Sequence, residues 1–522
     1  MLSIEERLAQ LEAKLAEVIH ERDEYRKLYE LVLLENKRLR RNLFGRKAEE
    51  IDPRQVQLAF DQAVPELATQ LAKMAREHTD VRGHKRAAAK PHGRSPIPDD
   101  LPVERIELPP PLDTTGMVKI GEEIKELVEW RAASMVRVQI VRPKFAWPGE
   151  EKRGVAIAEL PESPIPRCKA GVGLLAHVIV SKYADHLPLH RQAHMLERQG
   201  VEFSRSTLCG WLKPCAKLLG NITHAMAVDA FSSPWIGIDA TGVLVKDAER
   251  YRRCHFWVIV AGREHVLFRY SKRHNGVTAH ELLKGYKGYV LADASSVYHE
   301  LYRKEDVTEV GCWAHNRRGF FDALGSNSEQ ALVALGFIKE LYRIEAELGG
   351  LALSQKLEQR RARAGPVMDA FFAWAEVEER RAVPKSPLGQ ALQYALNQRV
   401  PLRRFLDDAR LRLDNNPSEQ QLRREVIGRK NWLFCSSEDG AEWNTTFVSL
   451  IASCALHEIE PWAYLRDVLS LVARWPAKRV LELSPKFWAQ TMAAHGTRQL
   501  LEADPVRSIS AGTRTLSPDT TP

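Results

Sequence analysis

The sequence predicts an α/β fold in which a long helical insertion interrupts the strand-bearing part of the chain. Three segments rich in β-branched and aromatic residues, joined by short connections, predict an antiparallel meander: 235–244, 254–260 and 264–270. Two shorter strands alternating with helices follow as far as residue 325, and residues 326–410 are almost wholly helical and highly charged. Three antiparallel strands, then β-α-β and a late helix, is the element order of an RNase H-like fold.

Length, charge and cysteine content limit the class of protein. A chain of 522 residues is too long for one hydrophobic core and is expected to divide into several units. The formal net charge of +8 and the clusters of Lys and Arg favour a nucleic-acid partner. The seven cysteines are scattered without a Cys-x-x-Cys pair, which disfavours a disulfide framework or zinc site and favours the cytoplasm. The sequence carries neither a signal-peptide pattern nor a bilayer-length apolar run, so no membrane partner is expected.

The first 45 residues carry apolar side chains at alternating spacings of three and four, from Ile4 to Leu43, with Arg22 and Asn36 as polar breaks. Such a heptad pattern with flanking charges predicts a coiled-coil zipper over residues 1–45, and hence self-association of the chain. The alternative is a single helix folded back on its own domain.

Changes of composition and pattern divide the rest of the chain into seven further segments. They are a basic, proline-containing linker (46–112), a small β-rich module (113–165), a helix-turn-helix domain (166–222), the first part of the strand-bearing core (226–325), a helical insertion (326–410), the last part of the core with C-terminal helices (411–475), and a tail (476–522) whose end is expected to be disordered.

Residues 187–212 carry the pattern of a helix, a glycine-containing turn and a capped second helix. Ser204 or Ser206 is suited to cap the second helix, because a short hydroxyl side chain accepts a hydrogen bond from a free backbone N–H. Arg205 lies at the start of this helix, where a recognition helix meets the edges of DNA bases. The pattern predicts a helix-turn-helix, with an ordinary helical hairpin as the alternative.

Two aspartates follow apolar strands. Asp239 ends the run 235–238, and Asp293 ends the run 289–292. If the two strands lie side by side, their carboxylates come together, and buried carboxylates need a cation, an arginine or solvent. Clustered carboxylates suit Mg²⁺, and two such ions can activate an attacking oxygen and stabilise a leaving one. The alternative is that each aspartate only begins a turn.

Glu419 offers a third carboxylate. With Asn416 as N-cap and Pro417 at the first helical position, Glu419 lies at the third position of a helix. A helix entrance holds a carboxylate rigidly toward a site, but this position is equally that of a capping box, in which Glu bonds the cap backbone. Asp414 is the rival third carboxylate.

Basic and aromatic residues cluster near these carboxylates. His315 is either a phosphate donor or hydrogen-bonded in place, and Cys312 is expected to be a buried strand residue. Side chains suited to phosphate contact or base stacking lie beside His315 and along the helix of Glu419: Arg317, Arg318, Arg423, Arg424, Arg429, Lys430 and Trp432.

Five strings of residues together resemble the insertion sequence 66 family of bacterial transposases. They are LFGRK (43–47), GCWAHNRR (311–318), DNNPSE (414–419), GRKNWLF (428–434) and AYLRDVL (463–469), in the family's order over roughly residues 1–475. The resemblance implies an RNase H-like catalytic domain with a helical insertion, which cuts and joins the DNA ends of an insertion sequence with Mg²⁺, or with Mn²⁺ in its place. Position by position, the family's metal-binding acidic triad falls on Asp239, Asp293 and Glu419.

The chain departs from the family in one segment. Members often carry a small cysteine-rich, zinc-ribbon-like module before the helix-turn-helix, but residues 112–149 contain no cysteine. Zinc is therefore not expected. The module is expected to persist as a metal-free β unit stabilised by Val136, Val138 and Trp147.

The sequence thus predicts a DNA transposase, a polynucleotidyl transferase that works by two-metal phosphoryl transfer. An RNase H-fold nuclease or resolvase, and a catalytically inactive DNA-binding relative, are the alternatives, because a fold does not fix a reaction. The expected partners are element ends and target DNA, further copies of the chain through the coiled coil, and accessory proteins encoded by the same element. A cytoplasmic, DNA-associated bacterial protein is expected.

Overall fold

A computed structural model describes residues 97, 101–110, 113–131, 134–148, 154–247, 250–304 and 306–511. The chain divides into two units, Met1–Gly93 and Arg94–Pro522, and the described residues all belong to the second. The coiled coil predicted over residues 1–45 and nearly all of the predicted linker lie outside the described residues.

A four-stranded sheet opens this unit. Its strands are β1 (Val103–Glu107), β2 (Val118–Arg131), β3 (Ser134–Ala146) and β4 (Val155–Ile157). The long β2–β3 pair is antiparallel, β1 runs parallel to β3 on its other side, and β4 pairs antiparallel with the end of β3. Val136 and Val138 are fully buried in this module, as predicted. The sheet starts earlier than expected, because β1 falls within the segment predicted to be linker.

Three helices follow, α1 (Val172–Tyr183), α2 (Leu189–Glu197) and α3 (Arg205–Ala230). The Ser204 hydroxyl accepts a hydrogen bond from the Thr207 N–H at 3.1 Å, so Ser204 is the cap and α3 begins at Arg205 as predicted. α3 continues well past residue 222, where the helix-turn-helix domain was expected to end. Its buried residues, including Leu219 and Met226, join the same hydrophobic core as the central sheet.

A buried carboxylate joins the small sheet to α1. Glu129 of β2 is fully buried and accepts hydrogen bonds from the N–H groups of Leu174 at 2.6 Å and Trp130 at 2.7 Å. Burial raises the pKa of Glu129 to about 7, although these N–H groups act in the opposite direction. A Cβ atom on Gly171 would lie 2.1 Å from this carboxylate, so a glycine is needed where the two elements meet.

The central sheet contains the predicted antiparallel meander, formed by β5 (Trp235–Asp247), β6 (Arg250–Ala261) and β7 (His265–Ser271). The chain then crosses through α4 (Gly276–Leu282) to β8 (Gly288–Leu291), and through α5 (His299–Lys304) to β9 (Val307–Val310). β8 lies parallel to β5, and β9 lies parallel to β8. The strand order is therefore β7-β6-β5-β8-β9, which places β5 at the centre of the sheet.

Residues 328–403 are mostly helical, as predicted. The helices α6 (Trp313–Ala323), α7 (Ser328–Glu347), α8 (Leu353–Arg381), α9 (Pro387–Asn397) and α10 (Arg399–Arg403) share a hydrophobic core that includes Phe320 and Phe371. The fully buried side chain of Arg360 donates hydrogen bonds to the Glu345 carboxylate at 2.7 and 3.0 Å, and to the Phe405 carbonyl oxygen at 2.7 Å. These bonds hold in place the segment around Phe405, which connects the helical insertion to the part of the chain that packs on the central sheet.

The helix α11 (Asn416–Trp432) returns to β5, and α12 (Glu438–Leu456) covers the β7 edge of the sheet. Ser449 and Ser453 of α12 accept hydrogen bonds from the N–H groups of Phe268 and Val266 at 2.7 and 3.0 Å. An edge strand with free N–H groups invites pairing with another chain, so these serines close that edge.

The last described helices are α13 (Pro461–Leu471), α14 (Trp488–Ala493), α15 (His495–Glu502) and α16 (Pro505–Ser510). The expectation of a tail from residue 476 is wrong as far as residue 511, because Val506 and Ile509 of α16 are buried against the small sheet. Helices of six to eight residues carry too little periodicity to be recognised in the sequence. The expected disorder concerns residues 512–522, which lie outside the described part of the chain.

Candidate active site

Two strands bring Asp239 and Asp293 to the same edge of the central sheet. In the parallel pair β5–β8, Gly237 is paired with Leu291, and each aspartate lies two residues further along the chain. Asp293 follows the end of β8, as predicted, and its carboxylate accepts a hydrogen bond from the Ser295 N–H at 3.3 Å. Asp239 does not end its strand, because β5 continues along β6 beyond the point where β8 stops. What changes at Asp239 is the degree of burial, since the four preceding residues are buried and Asp239 is only partly buried.

Glu419 lies in the first turn of α11. The helix begins at Asn416 rather than Pro417, with Asn415 as N-cap, so Glu419 is its fourth residue and not its third. The carboxylate does not close a capping box. Its Oε2 accepts a hydrogen bond from Arg318 of α6 at 3.3 Å, while its Oε1 is inaccessible to solvent and has no hydrogen-bond partner among the described residues. The carboxylate therefore faces α6 rather than its own helix start.

The N-terminus of α11 fits closely against β5. Asn415 donates a side-chain hydrogen bond to the carbonyl oxygen of Ile238 at 2.9 Å. A Cβ atom on Gly237 would lie 2.6 Å from the Ser418 hydroxyl and 2.7 Å from Asn415 Oδ1. Only a glycine permits this approach, which brings Glu419 to the two aspartates. The sequence analysis missed this contact, although a glycine inside an apolar strand is a recognised sign of close backbone approach.

Asp414, the rival third carboxylate, faces the helical insertion. Its side chain is buried and accepts hydrogen bonds from the Tyr342 hydroxyl of α7 and from the Asn416 amide, both at 2.8 Å. It also accepts the backbone N–H of Asn416, the first residue of α11, at 3.2 Å. This carboxylate is thus engaged in holding two helices, and that favours Glu419 as the third member of the site.

The three carboxylates act on one another electrostatically. Burial raises the pKa of Asp239 to about 7, and the charges of Asp293 and Glu419 contribute in the same direction, against the Ala240 N–H and Arg318. Their ligand oxygens do not all lie within 4.8 Å of one another, but carboxylates whose charges interact in this way repel one another in the absence of a cation. Carboxylate oxygens are the ligands that Mg²⁺ prefers, and the unpartnered Oε1 of Glu419 is an available ligand atom. The residues present therefore fit a divalent cation.

Cys312 and His315 adjoin Glu419 at the start of α6. Cys312 is fully buried at the N-cap of α6, and its Sγ accepts the Asn415 N–H at 3.3 Å. Burial raises the pKa of the Cys312 thiol to about 12. The Nδ1 atom of His315 lies 3.6 Å from Glu419 Oε1 and, like that oxygen, has no hydrogen-bond partner in the described part of the chain. Cys312 is buried as predicted, but the expectation that it lies in a strand is wrong, because β9 ends at Val310 and Cys312 is the N-cap of α6. Nδ1 of His315 is not held in place by a hydrogen bond.

Four of the residues predicted to contact DNA have exposed side chains: Arg205, Arg317, Arg423 and Lys430. Arg205 lies at the N-terminus of α3, Arg317 lies on α6, and the other two lie on α11. Arg317, Arg423 and Lys430 are exposed on the two helices whose first turns carry His315 and Glu419, and such cations are available to phosphate oxygens.

The other four predicted DNA contacts already have partners within the protein. Arg424 is half-buried and donates a hydrogen bond to the side-chain oxygen of Gln421 at 3.0 Å. Arg318 is half exposed and bound to Glu419. Arg429 donates a hydrogen bond to the carbonyl oxygen of Gly242 on β5, and Trp432 is half-buried against apolar residues of β5 and β6. Arg429 and Trp432 therefore hold α11 on the sheet in this structure.

Comparison with known families gives matches along most of the chain. Residues 167–443, more than half of the 522 residues, match the family described as "Transposase IS66 family". The chain belongs to the IS66 transposase family. Residues 33–106 of this family member match "Transposase C of IS166 homeodomain", and residues 449–485 match "IS66 C-terminal element". The resemblance inferred from the five sequence strings is confirmed.

Two relatives of this IS66-family chain come from Sinorhizobium fredii (strain NBRC 101917 / NGR234). Uncharacterized protein y4qI is 28% identical over 475 residues, which cover 86% of this chain and 87% of the relative. Uncharacterized protein y4hP is 27% identical over 505 residues, which cover 89% of this chain and 90% of the relative. The similarity extends over nearly the whole length of each relative, and neither name states an activity.

Membership of the IS66 family supports a role as a transposase of an insertion sequence, and it implies DNA as a partner. In the described part of the transposase, every helix is too short or too polar to cross a membrane.

Proposed function

We propose that this IS66-family transposase binds the ends of an insertion sequence, cuts them in a metal-dependent reaction and joins them to target DNA. The observation that carries the proposal is that Asp239 and Asp293 follow from neighbouring strands, and that the charges of Asp293 and Glu419 act on Asp239 and contribute to its raised pKa. We assign these three residues as the catalytic metal ligands.

The catalytic core is proposed to have an RNase H-like fold. Three antiparallel strands are followed by two parallel strands, and the helical insertion lies between β9 and α11. The first and fourth strands of this sheet are neighbours, so carboxylates that follow from them meet at one edge. The element order and the position of Asp239 and Asp293 both support this assignment.

The three carboxylates are positioned by different elements of the structure. Asp239 and Asp293 would bind divalent cations at the rigid sheet edge, and Glu419, held by Arg318, would complete the coordination from α11. Mg²⁺, or Mn²⁺ in its place, supplies the positive charge that activates an attacking oxygen and stabilises a leaving one. In the proposed sequence, water attacks a phosphodiester at the element end, and the freed 3′ hydroxyl then attacks target DNA in line.

Recognition of the element ends is assigned to α2 and α3. Arg205 is exposed at the N-terminus of α3 and is proposed to meet base edges, whereas the exposed Arg317, Arg423 and Lys430 are proposed to contact phosphates. Further copies of the chain would associate through the coiled coil predicted over residues 1–45. Accessory proteins encoded by the same element are further proposed partners.

The experiment is cleavage and joining of labelled element-end DNA by the full chain with MgCl₂. Asp239→Asn, Asp293→Asn and Glu419→Gln preserve size but remove the charge that attracts a cation. Each variant should lose cleavage and joining to the level of the uncatalysed background, while its affinity for end DNA and its thermal stability stay at or above those of the wild type.

Asp306→Asn is the matched control, because Asp306 is exposed just before β9, at the opposite end of the parallel strands, and should be silent. Full activity in Glu419→Gln with loss in Asp414→Asn would move the third carboxylate to Asp414. Cleavage without joining would favour a nuclease or resolvase. Specific end binding without any cleavage would favour a catalytically inactive relative.

A further inference from the structure

A second set of possible metal ligands lies directly beside the acidic triad. Cys312 and His315 come from the first turn of α6, and Glu419 comes from the first turn of α11. The Cys312 sulfur, a His315 ring nitrogen and a Glu419 carboxylate oxygen all lie within 4.8 Å of one another. Among the described residues, no other group of three His, Cys, Asp or Glu side chains brings its ligand atoms this close.

Two of these atoms lack the partners that buried polar atoms normally have. His315 Nδ1 and Glu419 Oε1 are both inaccessible to solvent and make no hydrogen bond within the described part of the chain. Their separation of 3.6 Å is too long for a hydrogen bond. It is close to the spacing of about 3.4 Å expected for two ligand atoms bound to one tetrahedral zinc ion.

We propose that Cys312, His315 and Glu419 form a binding site for a zinc-class transition-metal ion. A thiolate, an imidazole and a carboxylate are the ligand types that zinc accepts, whereas Mg²⁺ is bound through oxygen atoms. The Cys312 thiol releases its proton to the solvent when the metal binds, as thiols at zinc sites do. Three protein ligands leave the fourth tetrahedral position to a water molecule or a phosphate oxygen.

The local contacts leave this position open to a cation. Arg318 is bound to Oε2 of Glu419, which leaves Oε1 facing His315. The backbone N–H of Asn415 donates to the Cys312 sulfur and helps to stabilise a thiolate there. The expectation that zinc is absent rested on cysteine spacing along the chain, which does not detect a site assembled from α6 and α11.

The consequence for catalysis rests on the proposed function. Glu419 belongs both to this site and to the proposed Mg²⁺ triad, so zinc bound by Cys312 and His315 holds Glu419 Oε1 away from Asp239 and Asp293. Zinc should therefore inhibit cleavage in the presence of Mg²⁺, and the inhibition should be relieved in Cys312→Ser.

The test of binding uses Co²⁺ as a spectroscopic substitute for zinc on the full chain without DNA. Thiolate ligation gives a near-ultraviolet sulfur-to-cobalt charge-transfer absorption, which is independent of enzymatic activity. The wild type should show this absorption at one equivalent of Co²⁺, and added Zn²⁺ should abolish it by displacement. Cys312→Ser should lack it, and Cys209→Ser, the control for an exposed thiol, should retain it.

Ligand substitutions that leave the cysteine in place test the site without depending on the folding of Cys312→Ser. His315→Ala and Glu419→Gln should each weaken Zn²⁺ binding by more than about 10-fold, whereas Asp239→Asn should leave it within about twofold. No charge-transfer absorption in the wild type, or unchanged zinc affinity in His315→Ala, would overturn the proposed site. If Asp239→Asn is fully active while the absorption behaves as expected, the Mg²⁺ triad fails and the zinc site stands.

Discussion

Neutralising Asp239 should stabilise the metal-free protein, and the gain should depend on pH. In Asp239→Asn the amide has nearly the size of the carboxylate but no charge, so burial and the charges of Asp293 and Glu419 no longer act against it. The wild-type carboxyl has a pKa of about 7 in the folded chain, against its usual 3.8, because of burial and these neighbouring charges. Between the two values, the folded state holds a proton that the unfolded state has lost.

The sign and size of the effect follow from proton linkage. Because the folded state binds this proton more tightly, its contribution to the free energy of unfolding is fully present below pH 3.8 and is lost as the pH rises to about 7. Each pH unit in this window lowers the free energy of unfolding by about 1.4 kcal/mol, so the whole loss is about 4 kcal/mol. Between about pH 5 and pH 8 the wild type should lose about 2–3 kcal/mol that Asp239→Asn does not lose.

Urea unfolding of the two proteins in EDTA, across this pH range, measures the difference. Other ionisable groups distant from the site titrate equally in both proteins and cancel when the curves are subtracted. The stability of Asp239→Asn relative to the wild type should rise with pH and level off above about pH 7. Addition of MgCl₂ at the alkaline end should then stabilise the wild type, by about 2.7 kcal/mol at 100 times the dissociation constant, and leave the variant nearly unchanged.

A stability difference that stays constant with pH, within about 0.5 kcal/mol, would show that Asp239 is not the perturbed carboxyl. Asp306→Asn provides the matched comparison, because it is the same substitution at a carboxylate that is 80% exposed and distant from the acidic site, and it should not reproduce the gain. A pH-dependent gain in both variants would trace the effect to net charge rather than to the site.

Three further predictions concern α3 as the proposed DNA-recognition helix, the close packing of α11 against β5, and the coiled coil predicted over residues 1–45. Arg205→Glu should weaken binding to element-end DNA more than binding to random DNA at matched salt. If the variant binds both DNAs with wild-type affinity, α3 is not the recognition helix. Gly237→Ala should lower stability by about 1–3 kcal/mol and slow cleavage, since the added Cβ meets Ser418 and Asn415; unchanged thermal unfolding and cleavage would contradict that close approach. Deleting residues 1–44 should lower the mass measured by light scattering while the rest stays folded, and an unchanged mass would exclude the zipper as the element of association.

Features encoded by neighbouring residues were predicted well. The meander β5–β7 begins and ends within a few residues of the predicted bounds, because runs of β-branched and aromatic residues between short turns specify strands locally. The cap at Ser204 followed from a hydroxyl placed before an apolar helix. The placement of Asp293 after β8 followed from an apolar run that stops abruptly.

Features that depend on contacts between distant segments were missed or misplaced. α16 was taken for part of a tail, because a six-residue helix is stabilised by the burial of Val506 and Ile509 rather than by its own pattern. The N-cap was assigned to Asn416, whereas Asp414 accepts that residue's N–H and is itself held by Tyr342 from the insertion. Arg429 looked like a free phosphate contact, but it donates to a backbone carbonyl of β5.

By itself, the sequence determined the family, the meander, the helical insertion and the identity of the three candidate carboxylates, since all of these are carried by local strings and periodicities. The tertiary structure decided how the third carboxylate is oriented. The start of α11, and with it Glu419, packs against β5 because Gly237 leaves room for Ser418 and Asn415, and the charge of Glu419 then acts on Asp239. Glu419's hydrogen-bond partner Arg318 and its neighbour His315 come from α6, about a hundred residues earlier in the chain. Such contacts depend on packing between segments far apart in the chain, and no local pattern records them.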